Sequence, residues 1–245
     1  MNALSLSMQI KEQGYAIIKN YLSEEQANNL KTEMVKAYEK IPNGRVGIYD
    51  TEHFEPRMSG DFHQGKSILI YPPTYKHFKY MSEYFFGSEF INTVIEKYYG
   101  GRCNKFLQTY STYESNVVDN SELDRHSWMH VDPYQALKVA FFPLGSTIKS
   151  GALRVIPNSR QEGSIIRQQF MSQNPKGLRG GIAHRMVDFR EHCPTLITRN
   201  EDEAIYLECS PTDICFLDTD TYHGGGLVTD NNLERMAFFI HNRLY

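Results

Sequence analysis

Nowhere in this chain do about eighteen apolar residues run together, so no segment reads as a membrane-spanning helix. Met1 to Met8 shows no basic stretch leading into a long apolar core, so no secretory leader is read there and a soluble, cytoplasmic protein without a membrane partner is expected. Basic residues form no cluster: 26 Lys and Arg against 29 Asp and Glu leave a formal net charge of −3, which gives no field to attract nucleic acid, and no such partner is expected. The four cysteines, Cys103, Cys193, Cys209 and Cys215, include no C-x-x-C pair, which argues against a zinc ribbon or a disulfide framework and for buried free thiols. Internal repeats and low-complexity tracts are missing too.

What is present suits one substantial core, and 245 residues are expected to form a single domain spanning 1–245. Gly14-Tyr15-Ala16-Ile17-Ile18 reads as a short strand. Ser23 and Gln26 then have the spacing of a capping box for a helix with Ala27, Leu30, Met34 and Tyr38 on one face. A second helical region spans roughly Tyr75 to Tyr99, broken at Gly87, restarted at Ser88 and stopped by Gly100-Gly101. Residues 1 to about 104 thus read as a helical buttress. Between the helices, Asn43 to Pro73 shows no sustained period and reads either as an ordered loop over a pocket mouth or as a surface insertion.

From about residue 105 onward strands dominate: Phe106 to Tyr113, Ala136 to Phe142, Leu153 to Ile156, Ala204 to Leu207, Ile214 to Leu217 and Met236 to Ile240. So many short strands suggest a barrel or sandwich, mainly β with flanking helices. The polar stretch Gln161 to Asn200 is either an active-site lid or a surface excursion.

The chemistry sits in His130-Val131-Asp132, His223 and Arg235. In an extended strand residues i and i+2 share a side, so His130 and Asp132 grip one metal while Val131 faces away. His223 follows the apolar run Ile214 to Leu217 and the polar stretch Asp218 to Thr221, and precedes three glycines, where a strand turns over. Two imidazoles and a carboxylate hold a divalent iron on one face and leave the other open for a chelating cosubstrate and dioxygen. Arg235 opens an apolar run, and a guanidinium entering a buried strand needs a carboxylate, which a bound dicarboxylate would supply. Arg243 is its rival.

These residues, with Gly14 to Ile18, Leu22 to Glu25, Gly151 to Arg160 and Asp213 to Leu217, resemble the phytanoyl-CoA dioxygenase-like branch of the iron(II)- and 2-oxoglutarate-dependent oxygenases over most of the chain. Two departures stand out: members often carry glycine and histidine where this chain has Asn158 and Arg160. The resemblance implies a double-stranded β-helix, a jelly-roll barrel of the cupin kind, with its core at about 105–245. It implies Fe(II), 2-oxoglutarate and O2, with His130, Asp132 and His223 as catalytic metal ligands and Arg235 pairing with the far carboxylate of the cosubstrate. Gln108 and Thr147 fall where members place polar groups near the 2-oxo acid.

The implied reaction hydroxylates an unactivated C–H bond of a small-molecule metabolite and releases succinate and CO2. Related halogenases have glycine or alanine at the carboxylate position, so Asp132 disfavours halogenation. Candidates for contacting substrate are Trp128, which either walls the pocket or packs in the core, and Tyr134, Arg154, Arg57 and Tyr71, whose polar tips would orient a ligand in an apolar cavity. A zinc-dependent hydrolase on the same barrel is an alternative, since this triad also suits zinc and a water. A carboxylate-binding module without turnover is another.

Overall fold

The computed structural model describes residues 2–62, 65–101, 104–114, 129–132, 134–173, 199–230 and 232–243, excluding the side chains of 73, 104–108, 170, 171 and 173. The element order is α1 (Ala3–Gln13), β1 (Tyr15–Ile18), α2 (Glu24–Glu39), β2 (Arg45–Tyr49), β3 (Arg57–Asp61), β4 (Lys66–Ile70), then a 3-10 turn Pro72–His77, the single turn α3 (Lys79–Met81), a wide turn Ser82–Phe86 and α4 (Glu89–Tyr99). There follow β5 (Asn104–Glu114), β6 (Ala136–Phe141), β7 (Leu153–Val155), α5 (Arg160–Gln173), β8 (Ile205–Leu207), β9 (Ile214–Asp218), β10 (His223–Gly224) and β11 (Arg235–Arg243).

Helix starts follow from side-chain caps. Ser23 accepts from the Gln26 amide while the Gln26 side chain accepts from the Ser23 amide, and Ala27, Leu30, Met34, Ala37 and Tyr38 form the buried face of α2. Ser88 caps α4 after the break at Gly87, and Gly100, at φ 66°, ends it. Helix α1 has no counterpart among the expected elements. Asn2 caps it, and Leu6, Ser7 and Ile10 are its buried residues.

The strands make two sheets, one of eight in the order β1-β9-β6-β11-β5-β4-β2-β3 and one of three in the order β10-β7-β8. All pairings are antiparallel except β2 with β4. Alternation along the central strands sorts the core. Leu137, Val139, Phe141, Ile214, Phe216, Met236, Phe238 and Ile240 face α1, α2 and α4, packing with Leu6, Ile10, Leu30, Met34, Ile91 and Ile95. Their neighbours Ala140, Phe142, Cys215, Leu217, Ala237 and Phe239 face the smaller sheet, where Leu153, Val155, Leu207 and Cys209 meet them. Two sheets face to face, with helices outside the larger one, give the double-stranded β-helix layout.

Burial of Cys209 and Cys215 bears out the free-thiol expectation for these two. Burial pushes the Cys209 thiol up to about 12, and raises that of Cys215 as well. Cys103 and Cys193 lie outside the described residues. Among the described residues no helix is long and apolar enough to cross a membrane.

Two expectations need correction. Residues 43–73 are not a loop over the pocket mouth: β4 pairs with β5, and β2 and β3 carry the large sheet on to its far edge. The N-terminal part is therefore helices together with the four strands β1 to β4. Within 161–200, residues 161–173 continue α5, a helix that packs Ile166 against Val131, Ile156 and Tyr222. Residues 174–198 lie outside the described residues.

Candidate metal centre

Backbone pairing brings the two histidines together. The His130 amide donates to the His223 carbonyl at 2.8 Å, the His223 amide returns a bond to the His130 carbonyl at 2.9 Å, and the Asp132 amide donates to Thr219 at 3.0 Å. The imidazole centroids lie 4.5 Å apart. Val131, between the ligands, turns away into the apolar cluster beneath α5, as strand alternation requires. Asp132 Oδ1 stands 3.8 Å from His130 Nε2 and 3.7 Å from His223 Nε2, and one ligand atom from each residue falls within 4.8 Å of the others. Among the described residues no other group of three metal-binding side chains converges in this way.

The protonation states suit a cation. His223 Nδ1 lies 2.8 Å from the Thr221 carbonyl, which can only accept, so Nδ1 carries the proton and Nε2 presents its lone pair. Burial, then the Lys138 ammonium, holds the His223 pKa well below its ordinary value, so the imidazole is neutral. Burial alone would raise the Asp132 carboxyl, but Lys138, His223 and His130 outweigh it and hold the acid far below the usual carboxylate range. Two imidazoles, that of His223 neutral, and an ionised carboxylate at a buried point are the donor set of a non-haem ferrous site. The residues fit the ion.

Lys138 is the residue the sequence reading missed. It sits on β6, and its Nζ lies 2.8 Å from Asp132 Oδ2 and 3.2 Å from His223 Nε2. The signal was there: a lysine inside the otherwise apolar run Ala136 to Phe142. Opposite it on β11 is His241, buried, with its pKa pushed down to about 3 by burial and then by Lys138. His241 Nδ1 lies 3.4 Å from the Tyr134 hydroxyl, and the Arg243 guanidinium stacks 3.4 Å from the Tyr134 ring centre.

The buried stretch Asp218 to Thr221 fixes the loop that carries His223. Asp218 takes bonds from the Tyr98 hydroxyl of α4 and from Arg160 Nε of α5, and Asp220 takes two from Arg167, at 2.5 and 3.1 Å. Thr219 accepts from the Ala136 amide at 2.7 Å and donates to the Tyr134 carbonyl at 3.0 Å. Arg160 thus serves as a strut. Asn158 sits at φ 61°, a backbone that glycine takes freely and asparagine tolerates, which accommodates both departures from the family pattern.

Arg235 faces the space between the sheets, on the same side of β11 as Ala237 and His241, as residues two apart do. It has found an internal partner: Nη1 donates to the buried Glu114 at 2.8 Å, while Nε is buried with no hydrogen-bond partner. Gly151 makes room for it, since a Cβ there would come within 2.9 Å of Arg235 Cδ, at a backbone φ of 83°.

The other expected residues divide. Tyr134 is brought beside the triad through His241. Thr147 spends its hydroxyl within a turn, 3.1 Å from that of Ser150. Arg154 lies between Leu153 and Val155, whose side chains fill the core, so alternation turns it to the other face of β7, away from the cavity expected for it. Arg57 is on exposed β3, paired with Asp50 at 2.8 Å, because the segment expected to cover the pocket is a sheet edge. Tyr71 follows β4 and its amide bonds to Tyr49. Gln108 is opposite His241 in the β5–β11 ladder, but its side chain, like all of Trp128, lies outside the described residues.

No family model matches the chain. A relative in Dictyostelium discoideum, a phytanoyl-CoA dioxygenase domain-containing protein 1 homolog, is 26% identical over 267 residues, covering 95% of this chain and 88% of its own. Among solved structures the fold is similar to SnoK, a non-heme α-ketoglutarate-dependent carbocyclase of nogalamycin biosynthesis (TM-score 0.66, 15% identity, 99% of this chain and 85% of that one). It is also similar to the epimerase SnoN in complex with Fe3+, α-ketoglutarate and nogalamycin RO (0.62, 11%, 98% and 83%), and to EctD from S. alaskensis with bound Fe (0.60, 14%, 98% and 76%).

Proposed function

We propose that this chain, akin in sequence to a phytanoyl-CoA dioxygenase domain protein and in fold to non-heme α-ketoglutarate-dependent enzymes, is an iron(II)- and 2-oxoglutarate-dependent oxygenase that hydroxylates a small-molecule metabolite. The observation that carries the reading is the triad itself: His130, Asp132 and His223 bring three ligand atoms within 4.8 Å, with the carboxylate ionised and the imidazole of His223 neutral. When bound, ferrous iron with 2-oxoglutarate and O2 supplies the oxidising power for attack on a C–H bond, with release of succinate and CO2.

The chain's own residues supply the rest. The His130–His223 backbone bridge and the Asp218–Thr221 loop hold the ligands in place without the ion. Arg235 is the proposed anchor for the far carboxylate of the cosubstrate; its unpartnered Nε supports that role, although Glu114 shares the guanidinium. Asp132 fills the carboxylate position, which favours hydroxylation over halogenation. Tyr134, beside His241 and under Arg243, is the substrate-contact candidate best supported by position.

The test is purified protein with Fe(II), 2-oxoglutarate and O2, following succinate by mass spectrometry and screening metabolites for a product that has gained one oxygen atom. His130→Ala should abolish succinate formation. Removing Arg235 alone would strand the Glu114 carboxylate at a cost of about 3–5 kcal/mol, so the paired variant Arg235→Met/Glu114→Met is the informative one. It should fold and lose affinity for 2-oxoglutarate. Unchanged succinate formation in His130→Ala would refute the reading, and unchanged affinity in the pair would remove Arg235 as the anchor.

A further inference from the structure

Lys138 places a cation inside the metal centre, and the charge around it makes a definite prediction. Its ammonium touches the outer oxygen of Asp132 and the metal-facing nitrogen of His223, the atom an ion needs. A metal must therefore push it off His223 while leaving it within reach of the coordination sphere. We infer that Lys138 is a cosubstrate-binding residue whose ammonium, displaced from His223 Nε2 by the metal, balances the negative charge of the 2-oxo acid. This inference rests on the oxygenase reading.

Charge balance carries the argument. The arginine expected to meet the dianion is already neutralised by Glu114, both buried and 2.8 Å apart. His223 turns Nδ1 to the Thr221 carbonyl and keeps on Nε2 the lone pair that a metal takes, so it adds no charge as a ligand. With a divalent ion in place, the ion, Asp132 and Lys138 together carry two positive charges, and a dicarboxylate cancels them. Without Lys138, one negative charge beside the buried Asp132 and His223 would lack a counter-charge, which is costly. Arg243, stacked on Tyr134 and half-buried, lies further along β11 from Arg235 than His241 does.

A structural role for Lys138 makes the opposite forecast. If the lysine only oriented Asp132, its removal would weaken metal binding and leave the cosubstrate affinity of the metal-loaded protein alone. As a charge-balancing group that also competes for His223 Nε2, its removal should leave metal affinity unchanged or higher and weaken the 2-oxo acid.

The experiment is anaerobic calorimetry on the full chain, titrating Co(II) first and 2-oxoglutarate into the Co(II) form second. Lys138→Gln is the primary variant because it keeps a donor for Asp132 and loses the charge; Lys138→Arg restores the charge. Lys138→Gln should bind Co(II) no more weakly than wild type and 2-oxoglutarate about tenfold to a hundredfold more weakly, with Lys138→Arg recovering part of the loss. Wild-type 2-oxoglutarate affinity in Lys138→Gln, or a loss confined to Co(II), overturns the inference. If Lys138→Gln does not fold, reduced 2-oxoglutarate affinity in Lys138→Met stabilised by Co(II) supports the inference, and wild-type affinity overturns it. A wild-type protein that binds Co(II) but no 2-oxoglutarate sinks the oxygenase reading itself.

Discussion

Gly163 shows how closely a single residue can be tied to the metal. On α5 it lies so near the loop carrying His223 that an added Cβ would fall 1.8 Å from the Asp220 carbonyl and 2.7 Å from Val131 Cγ1. Backbone cannot yield as a flexible side chain can, so Gly163→Ala should displace the loop or the helix. The expected cost is about 1–3 kcal/mol of stability with weaker divalent-metal binding, read by thermal melts with and without Co(II). Melts indistinguishable from wild type would mean that α5 does not buttress the site. At this scale the triad was legible, because H-x-D spacing in a strand and a histidine before a glycine turn carry their geometry in the sequence. The partners of those residues were not: that Glu114 would reach Arg235 and Lys138 would reach Asp132 depends on cross-strand neighbours, which no local spacing records.

Among the elements, α2 was readable because its cap and its face agree, and the reciprocal Ser23–Gln26 bonds make the point testable. Ser23→Ala should lower stability by about 1 kcal/mol without touching metal binding, measured by urea unfolding and Co(II) titration side by side; a shift in metal affinity would imply that α2 senses the site. The central strands β6, β9 and β11 were equally plain, since burial on both faces leaves continuous apolar runs. Strands β2, β3 and β4 were missed for a related reason. The large sheet's edge strand β3 is exposed along most of its length, and its residues Arg57 to Asp61 mix charge and glycine with no alternation to read. Helix α1 was missed because its buried face amounts to Leu6, Ser7 and Ile10 in a polar stretch. Its start signal, Asn2, is weak without a following acidic residue.

For the molecule as a whole, the buried histidines couple folding to pH. His241 has a folded pKa of about 3 against an ordinary 6.5, through burial first and Lys138 second, and His223 is shifted the same way. Between those values the unfolded chain binds more protons than the folded one, so stability is full above about 6.5 and falls as pH drops toward 3. From pH 7 to pH 5 the metal-free protein should lose about 2 kcal/mol through His241 alone, and His241→Gln should remove that part of the slope in urea unfolding. A profile flat across this range in wild type would contradict the burial of a neutral imidazole. The two-sheet architecture follows from apolar alternation, but the site depends on one crossing, where His130 meets His223 at the edge of the smaller sheet and Lys138 reaches Asp132 and His223 from the larger. The most direct test is calorimetric titration of the metal-free protein with Co(II). One ion per chain, with binding lost in Asp132→Ala and in His223→Ala, is the predicted result; equal binding by both variants and wild type would contradict a metal centre at this triad.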